Sequence, residues 1–265
     1  MIGAPSDRAL ELLRAEWARP DFELGLDNLV AVGEEGRLVG YASMSPNGEL
    51  ALAAENDALA DDLYGLIRDR ARDRGDRTLA VTVGSPGGTL ASLVARHPFT
   101  LDHDTLTMWR PLDEPVADPA APEGIALRSF EPVDARAVHA LLDAAYLAWD
   151  TAYVPVSHEG WASAMTGDAE FDPAVWFLAE RDGALVGCAL HWSSGWLKDL
   201  AVRESERGRG LGATLVQMGL AEFSRRGCAR VGLKVDAANP TGAVRLYERL
   251  GFVTTNRQAV WVATL

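Results

Sequence analysis

A strand-like run, Trp196–Val202, leads through Arg207-Gly208-Arg209-Gly210-Leu211-Gly212 into a helix-like run at residues 211–226. No other feature constrains the chain as much. Glycines at alternate positions let the backbone curl closely and present successive N–H groups, and the following helix adds its positive end. Together these make an anion cradle suited to a pyrophosphate. Arg203, Arg207 and Arg209 bring fixed positive charge. The chain is thus built around a strand–loop–helix unit aimed at a phosphate-bearing ligand.

What the loop lacks narrows the ligand. A triphosphate loop needs Lys-Ser/Thr after its last glycine, where Ala213-Thr214 stand. A dinucleotide fingerprint needs G-x-G-x-x-G directly after its strand, whereas residues 203–207 intervene here. Three glycines alone also fit a plain tight turn. Downstream, a strand through Lys234-Val235-Asp236 is followed by Asn239-Pro240, which reads as a helix start. That helix stops at Gly251, a residue free to take the left-handed conformation after a C-terminus.

These motifs, in this order, resemble the GNAT superfamily of acyl-CoA-dependent N-acetyltransferases. Arg207-x-x-Gly210-x-Gly212 matches its R/Q-x-x-G-x-G/A signature. Asn239 and Ala243 through Phe252 match the N-x-x-A…LYE-x-x-GF that follows it. The resemblance covers about residues 125–265. It implies acetyl-CoA as cosubstrate, held by the backbone of Arg207, Gly208, Arg209, Gly210, Leu211, Gly212 and Ala213. It also implies a strand edge at Leu200, Ala201 and Val202 that binds the pantetheine arm as an added strand would, with Asn239, Ala243 and Arg249 completing the cofactor side.

Acetyl transfer to an amine needs a held donor, a neutral amine and a proton for the departing thiolate. Tyr247 is the candidate general acid, since a phenol with pKa near 10 can donate to a thiolate. A packing tyrosine beside Leu246 and Leu250 is the other reading, and the resemblance favours the acid. The base is where the pattern breaks. The tandem mycothiol synthases, a branch of the family, carry a glutamate six residues before the valine that ends the equivalent strand, and here that position is Trp196. His191 and Glu180 are the remaining candidates, with a water chain or an amine arriving neutral as alternatives. The acceptor is expected near Trp149, Asp150, Tyr153 and Trp161, with His191 and Trp196 beside it. Aromatics and an acid suit a cationic amine, and they equally suit a hydrophobic lid. No metal site is expected.

The first half of the chain reads as a worn copy of the second. Val81-Thr82-Val83…Pro98-Phe99…Met108-Trp109 lines up with Leu233-Lys234-Val235…Gly251-Phe252…Val260-Trp261. The glycine loop is absent from it, residues 56–64 standing in its place, and Val94 replaces the tyrosine. The expected fold is α+β: two tandem GNAT-like domains, each a mixed, largely antiparallel central sheet flanked by helices. Residues 1–112 form the degenerate domain, the Pro/Ala/acid-rich residues 113–124 a linker, and residues 125–265 the catalytic domain.

Composition bounds the partners. At 48% hydrophobic and 24% charged the 265 residues are ordinary for a globular protein, and no apolar run is long enough to span a bilayer. A net charge of −13 makes a poor binder of nucleic acid. Only Cys188 and Cys228 are present, so a reducing, cytoplasmic setting fits. The expected partner is a small-molecule amine, with no nucleic acid and no membrane, for a monomer or homodimer. Acetylation of a protein amine is one alternative function. A non-catalytic acyl-CoA-binding sensor is the other.

Overall fold

The computed structural model describes residues 24–84, 87–149 and 153–265. The chain divides into two compact units, Met1–Thr105 with Arg257–Leu265, and Leu106–Asn256.

In the first unit a helical turn α1 (Leu24–Asp27) precedes strands β1 (Asn28–Val32), β2 (Leu38–Met44) and β3 (Glu49–Ala54). Helix α2 (Asp57–Arg74), strand β4 (Thr78–Val83), helix α3 (Thr89–Arg96) and strand β5 (Thr100–Pro111) follow. β1, β2 and β3 pair antiparallel, and β3 pairs parallel with β4. Helix α2 forms because Ala60, Leu63, Tyr64, Ile67 and Ala71 recur at helical spacing and are all buried. The Asn56 side chain caps its start, and Gly75, at φ 89°, ends it. Met44, Leu50, Ile67, Leu79, Val81 and Leu93 fill the core, and Ala263 joins them from the far end of the chain.

The second unit runs β6 (Ala126–Ser129), α4 (Ala135–Leu147), α5 (His158–Thr166), β7 (Trp176–Arg181), β8 (Ala184–Trp192) and β9 (Trp196–Val202). Then come α6 (Leu211–Arg225), β10 (Arg230–Asp236), α7 (Ala243–Arg249) and β11 (Val253–Thr264). Its sheet has the order β5-β10-β9-β8-β7-β6. Strands β6 to β9 pair antiparallel, and β9 pairs parallel with β10. This is an α+β fold, a mixed central sheet flanked by helices. Asp182 and Gly183 both take positive φ (51° and 74°), the tight hairpin turn that an Asp-Gly pair predicts. Trp176, Leu178, Leu190, Leu215 and Phe223 are fully buried at the centre of this core.

Three expectations are corrected. The units do not divide at residue 112, because β5 carries its second half into the second unit while Arg257–Leu265 complete the first. There Ala259 to Thr264 of β11 pair antiparallel with β4. Residues 113–124 are not a free linker. Leu112 N–H donates to Ala229 O, Val116 N–H to Ser224 Oγ, and Leu112 and Val116 pack on the second unit's core. Finally, α7 starts at Ala243 and not at Pro240. Asn239 spends its side chain on a turn with Thr241, and Gly242, at φ 81°, sits at the helix start instead. Among the described residues no helix is long and apolar enough to cross a membrane.

Helix α6 lies so close to the sheet that a Cβ at Gly219 would stand 2.4 Å from His191 Nε2. That ring cannot yield easily: its Nδ1 meets Val175 O at 3.1 Å, and Phe177 and Phe223 flank it. Ala in a helix interior ordinarily gains about 1 kcal/mol over Gly, but overpacking costs about 1–3 kcal/mol. Gly219→Ala should therefore lose stability, by about 1–2 kcal/mol in urea unfolding. A more stable variant would show that the ring moves aside.

Candidate active site

The parallel pairing of β9 with β10 covers only Trp196 with Gly232 and Leu197 with Leu233. Beyond that point the strands part, and a cleft of about 460 Å³ opens between them. Leu200, Ala201 and Val202 line one edge, and Lys234, Val235 and Asp236 the other. Strand β9 carries a bulge at the parting: Leu190 pairs with Asp199 and His191 with Leu197, so Lys198 has no partner on β8. Bulges of this kind re-aim side chains next to sites.

One end of the cleft is the glycine loop. Gly208 and Gly210 take φ of 76° and 84°, a conformation that side-chain-bearing residues rarely adopt. Arg207 Nε donates to Val202 O, which ties the loop back onto β9. The first intrahelical bond of α6 is Thr214 N–H to Gly210 O, so the N–H groups of Leu211, Gly212 and Ala213 have no intrahelical acceptor. Gly208, Gly210, Leu211, Gly212 and Ala213 all line the cleft, as does Arg207. An anion there would meet unsatisfied donors and the positive end of a 15-residue helix. Asn239, Ala243 and Arg249 line the same cleft.

Tyr247 reaches the cleft from α7, 6% exposed, its ring edge-on to Phe252. Burial, and then the negative charge of Asp199, push its hydroxyl well above the ordinary phenol range, so it holds its proton at neutral pH. Tyr146 and Trp149 of the α4 end close the opposite side with Lys198. Tyr146 Oη donates to Asp199 Oδ1 at 2.5 Å. Asp199 is itself buried, with Lys198 Nζ 3.6 Å from its other oxygen. Burial first, and then Asp199, push Tyr146 upward as well. Sequence reasoning missed Tyr146 and Asp199. The signal was present only as an acid at a buried strand position, and nothing local tied it to a tyrosine 53 residues away.

Several expected site residues lie elsewhere. His191 is fully buried in the core and does not line the cleft, clamped between aromatic rings under α6, and burial drives it down to about 4. Trp196 packs edge-on against Trp109. Glu180 is spent on an ion pair with Arg128. Arg209 turns to Glu206, which Arg181 holds through both its oxygens, and it does not line the cleft. Tyr153 stacks on Tyr146 at 5.1 Å and donates to Asp143, so it backs the wall without forming it. Trp161 packs on His139 and Trp176. Asp150 lies outside the described residues.

The corresponding place in the first unit is chemically closed. β3 and β4 pair only at Glu49 with Ala80 and Leu50 with Val81. The following helix, however, already has Leu59 N–H bonded to Asn56 and Asp57 in its first turn. Arg96 of α3 pairs with Asp57 and Asp61. An anion would meet carboxylates where the second unit offers free N–H groups.

Comparison with known proteins gives a consistent result. A family profile described as "Acetyltransferase (GNAT) family" matches residues 136–252. The chain is 37% identical to a mycothiol acetyltransferase of Thermobispora bispora, over 69% of this chain and 68% of that one. It is 31% identical to the mycothiol acetyltransferase of Thermomonospora curvata over 93% of this chain and 83% of that one. Among solved structures, a GCN5-related N-acetyltransferase from Sphaerobacter thermophilus superposes with a TM-score of 0.78 at 27% identity, covering 99% of this chain and 87% of that one. A tandem GNAT protein from the clavulanic acid biosynthesis pathway shares the fold at a TM-score of 0.69 and 20% identity, covering 99% and 89%.

The buried His191 has a consequence for stability. Folded, it stays neutral down to about pH 4, while in the unfolded chain it takes a proton near 6.5. The unfolded state therefore binds more protons below that pH. Stability is fully present above about 6.5 and is lost as pH falls toward about 4, by on the order of 2–3 kcal/mol from this group. Urea unfolding at pH 7 and at about pH 4.5 should show that loss, and His191→Leu should flatten it. An equal acid loss in the variant would assign it to carboxylates alone.

Proposed function

The chain belongs to the GNAT acetyltransferase family, and from that premise we propose that it transfers an acetyl group from acetyl-CoA to the primary amine of a small molecule. The observation that carries this reading is the parting of β9 from β10 beside the glycine cradle, with Tyr247 buried in the wall.

The residues present fit acetyl-CoA. The left-handed glycines and the unbonded N–H groups of α6 suit its pyrophosphate. The open backbone edge of Leu200, Ala201 and Val202 suits an amide-bearing pantetheine arm, and Asn239, Ala243 and Arg249 complete that side. Acetyl-CoA supplies the acetyl group as a thioester, already activated toward attack by nitrogen. The chain's own part is to hold the two reactants together, which can remove about 7–11 kcal/mol of barrier, and to supply a proton to the departing sulfur. Tyr247 is that donor, because its raised pKa keeps it protonated and it lines the cleft. The name of the relatives supports a small acceptor, and so does an acceptor end walled by Tyr146, Trp149 and Lys198.

In this reading the first unit is a GNAT-like domain without cofactor binding, so that the chain is a tandem. Its support is the repeated two-pair parallel contact (β3 with β4, β9 with β10) and the closed helix start at Asn56. Cys188 and Cys228 are free thiols, which supports a reducing, cytoplasmic setting.

Acetyl-CoA at 100 times its Kd should stabilise the protein by about 2.7 kcal/mol, a rise of a few degrees in Tm, and NAD should not. Tyr247→Phe should keep that shift while kcat falls about 10²–10⁴-fold. Equal shifts with NAD, or acetyl-CoA binding with no amine ever acetylated, would overturn the reading.

A further inference from the structure

The cleft has a proton donor for sulfur, yet the residues expected to take a proton from the amine, His191 and Glu180, face away from it. One polar pair on its other wall does not. Tyr146 lines the cleft, and its hydroxyl proton is committed to Asp199 at 2.5 Å. A hydroxyl has one donor and two acceptor lone pairs, so this arrangement leaves Tyr146 Oη as an acceptor. We propose that Tyr146 is a catalytic residue of the acceptor side and Asp199 its positioning residue, and that together they take the proton of the incoming amine. The inference rests on the acetyl-transfer reading above and names the group that reading lacks.

The surroundings fit the task. The bulge that leaves Lys198 unpaired on β9 sits where the strands part, and Asp199, the next residue, lies buried behind the cleft wall. Lys198 Nζ, 3.6 Å from Asp199 Oδ2, offsets the cost of burying that carboxylate. Tyr153 stacks on the Tyr146 ring at 5.1 Å and is tethered to Asp143 of α4, which fixes the ring's direction. The titratable groups around the pair are Lys198 on its own strand, Cys188 on β8, Tyr247 on α7, and Tyr153 and Asp143 behind it. Burial and Asp199 also push Cys188 upward, which keeps it a neutral thiol.

The step balances. The acceptor arrives as an ammonium and gives one proton to Tyr146 Oη as Tyr146 passes its own to Asp199. The freed nitrogen pair forms the N–C bond to the acetyl carbon, and the C–S bond breaks with its electron pair on sulfur. Sulfur takes the Tyr247 proton, a second proton from nitrogen restores Tyr247, and Asp199 releases its proton to solvent through Tyr146. Ammonium and thioester become amide, free thiol and one solvent proton.

The test is the pH profile of kcat for wild type, Tyr146→Phe and Asp199→Asn. The probe is whichever primary amine turns over best from an amino sugar, an amino-acid amide, a polyamine and an arylalkylamine. Asp199→Asn keeps an oxygen to accept the Tyr146 hydroxyl, and an unchanged acetyl-CoA thermal shift reports an intact fold in both variants. At neutral pH both should lose about 10²-fold in kcat with KM for acetyl-CoA unchanged. The loss should shrink about tenfold per unit as pH rises toward about 10, because an amine that arrives neutral needs no acceptor. A wild-type profile in Tyr146→Phe, or a loss uniform across pH, overturns the inference while wild-type turnover still upholds acetyl transfer. Acetyl-CoA binding without wild-type turnover of any amine overturns both.

Discussion

Everything at the site depends on two strands ceasing to pair. β9 and β10 share only two residue pairs, Trp196 with Gly232 and Leu197 with Leu233, before they diverge. Backbone N–H and C=O groups inside a sheet are ordinarily consumed by their neighbours. Parting them in mid-sheet creates a row of polar groups that only solvent or a ligand can satisfy. The glycine loop hangs from the end of one diverging strand and α7 follows the other, so both arrive at the same opening. The β-bulge at Lys198 falls at the fork, which explains how adjacent residues of one strand serve different environments. Lys198 reaches the cleft and Asp199 the protein interior.

The electrostatics of the cleft are correspondingly divided. Its glycine-loop end offers backbone donors and Arg207, with the carboxylate of Glu206 held by Arg181. Its other end is built from phenols around the buried carboxylate of Asp199. Asp199 acts on Tyr146, Tyr153, Tyr247 and Cys188 alike, in each case favouring the protonated form. One charge thus keeps several neutral donors neutral. That is economical in a place where every additional charge would cost several kcal/mol of desolvation.

Much of this was legible in the chain because local rules agree with the global fold. Strand Trp196–Val202 carries period-two burial, Ala184–Trp192 is a continuous apolar run buried on both faces, and Asp182-Gly183 makes the turn its chemistry demands. The glycine loop could be read because φ above zero leaves a sequence mark. What stayed hidden was long-range. Tyr146 and Asp199 meet across 53 residues, and no spacing rule joins a helix end to a strand centre. His191 looked like chemistry because histidine is usually polar and reactive. It is instead a ring filling the gap beneath Gly219, a fact that only the packing of α6 on the sheet reveals. Arg209 looked like a phosphate ligand by proximity in sequence, and the nearer carboxylate of Glu206 claims it. The division at residue 112 was misplaced for a related reason: a proline-rich stretch signals a break in regular structure, and here that stretch is docked by Leu112 and Val116.

The first unit's sheet takes its last strand from residues 259–264, which pair with Thr78–Val83. A ribosome makes residues 78–83 long before it makes residues 259–264. While the chain is being synthesised, β4 emerges with one edge bare and stays so until residues 259–264 follow. Vectorial folding, in which each domain matures as it leaves the tunnel, is closed to this unit. Its nascent form must wait with an unpaired strand edge, the kind of surface that recruits chaperones or other chains. Genetic dissection meets the same fact from the other side: a clone ending anywhere before Arg257 encodes a first unit that lacks part of its own core.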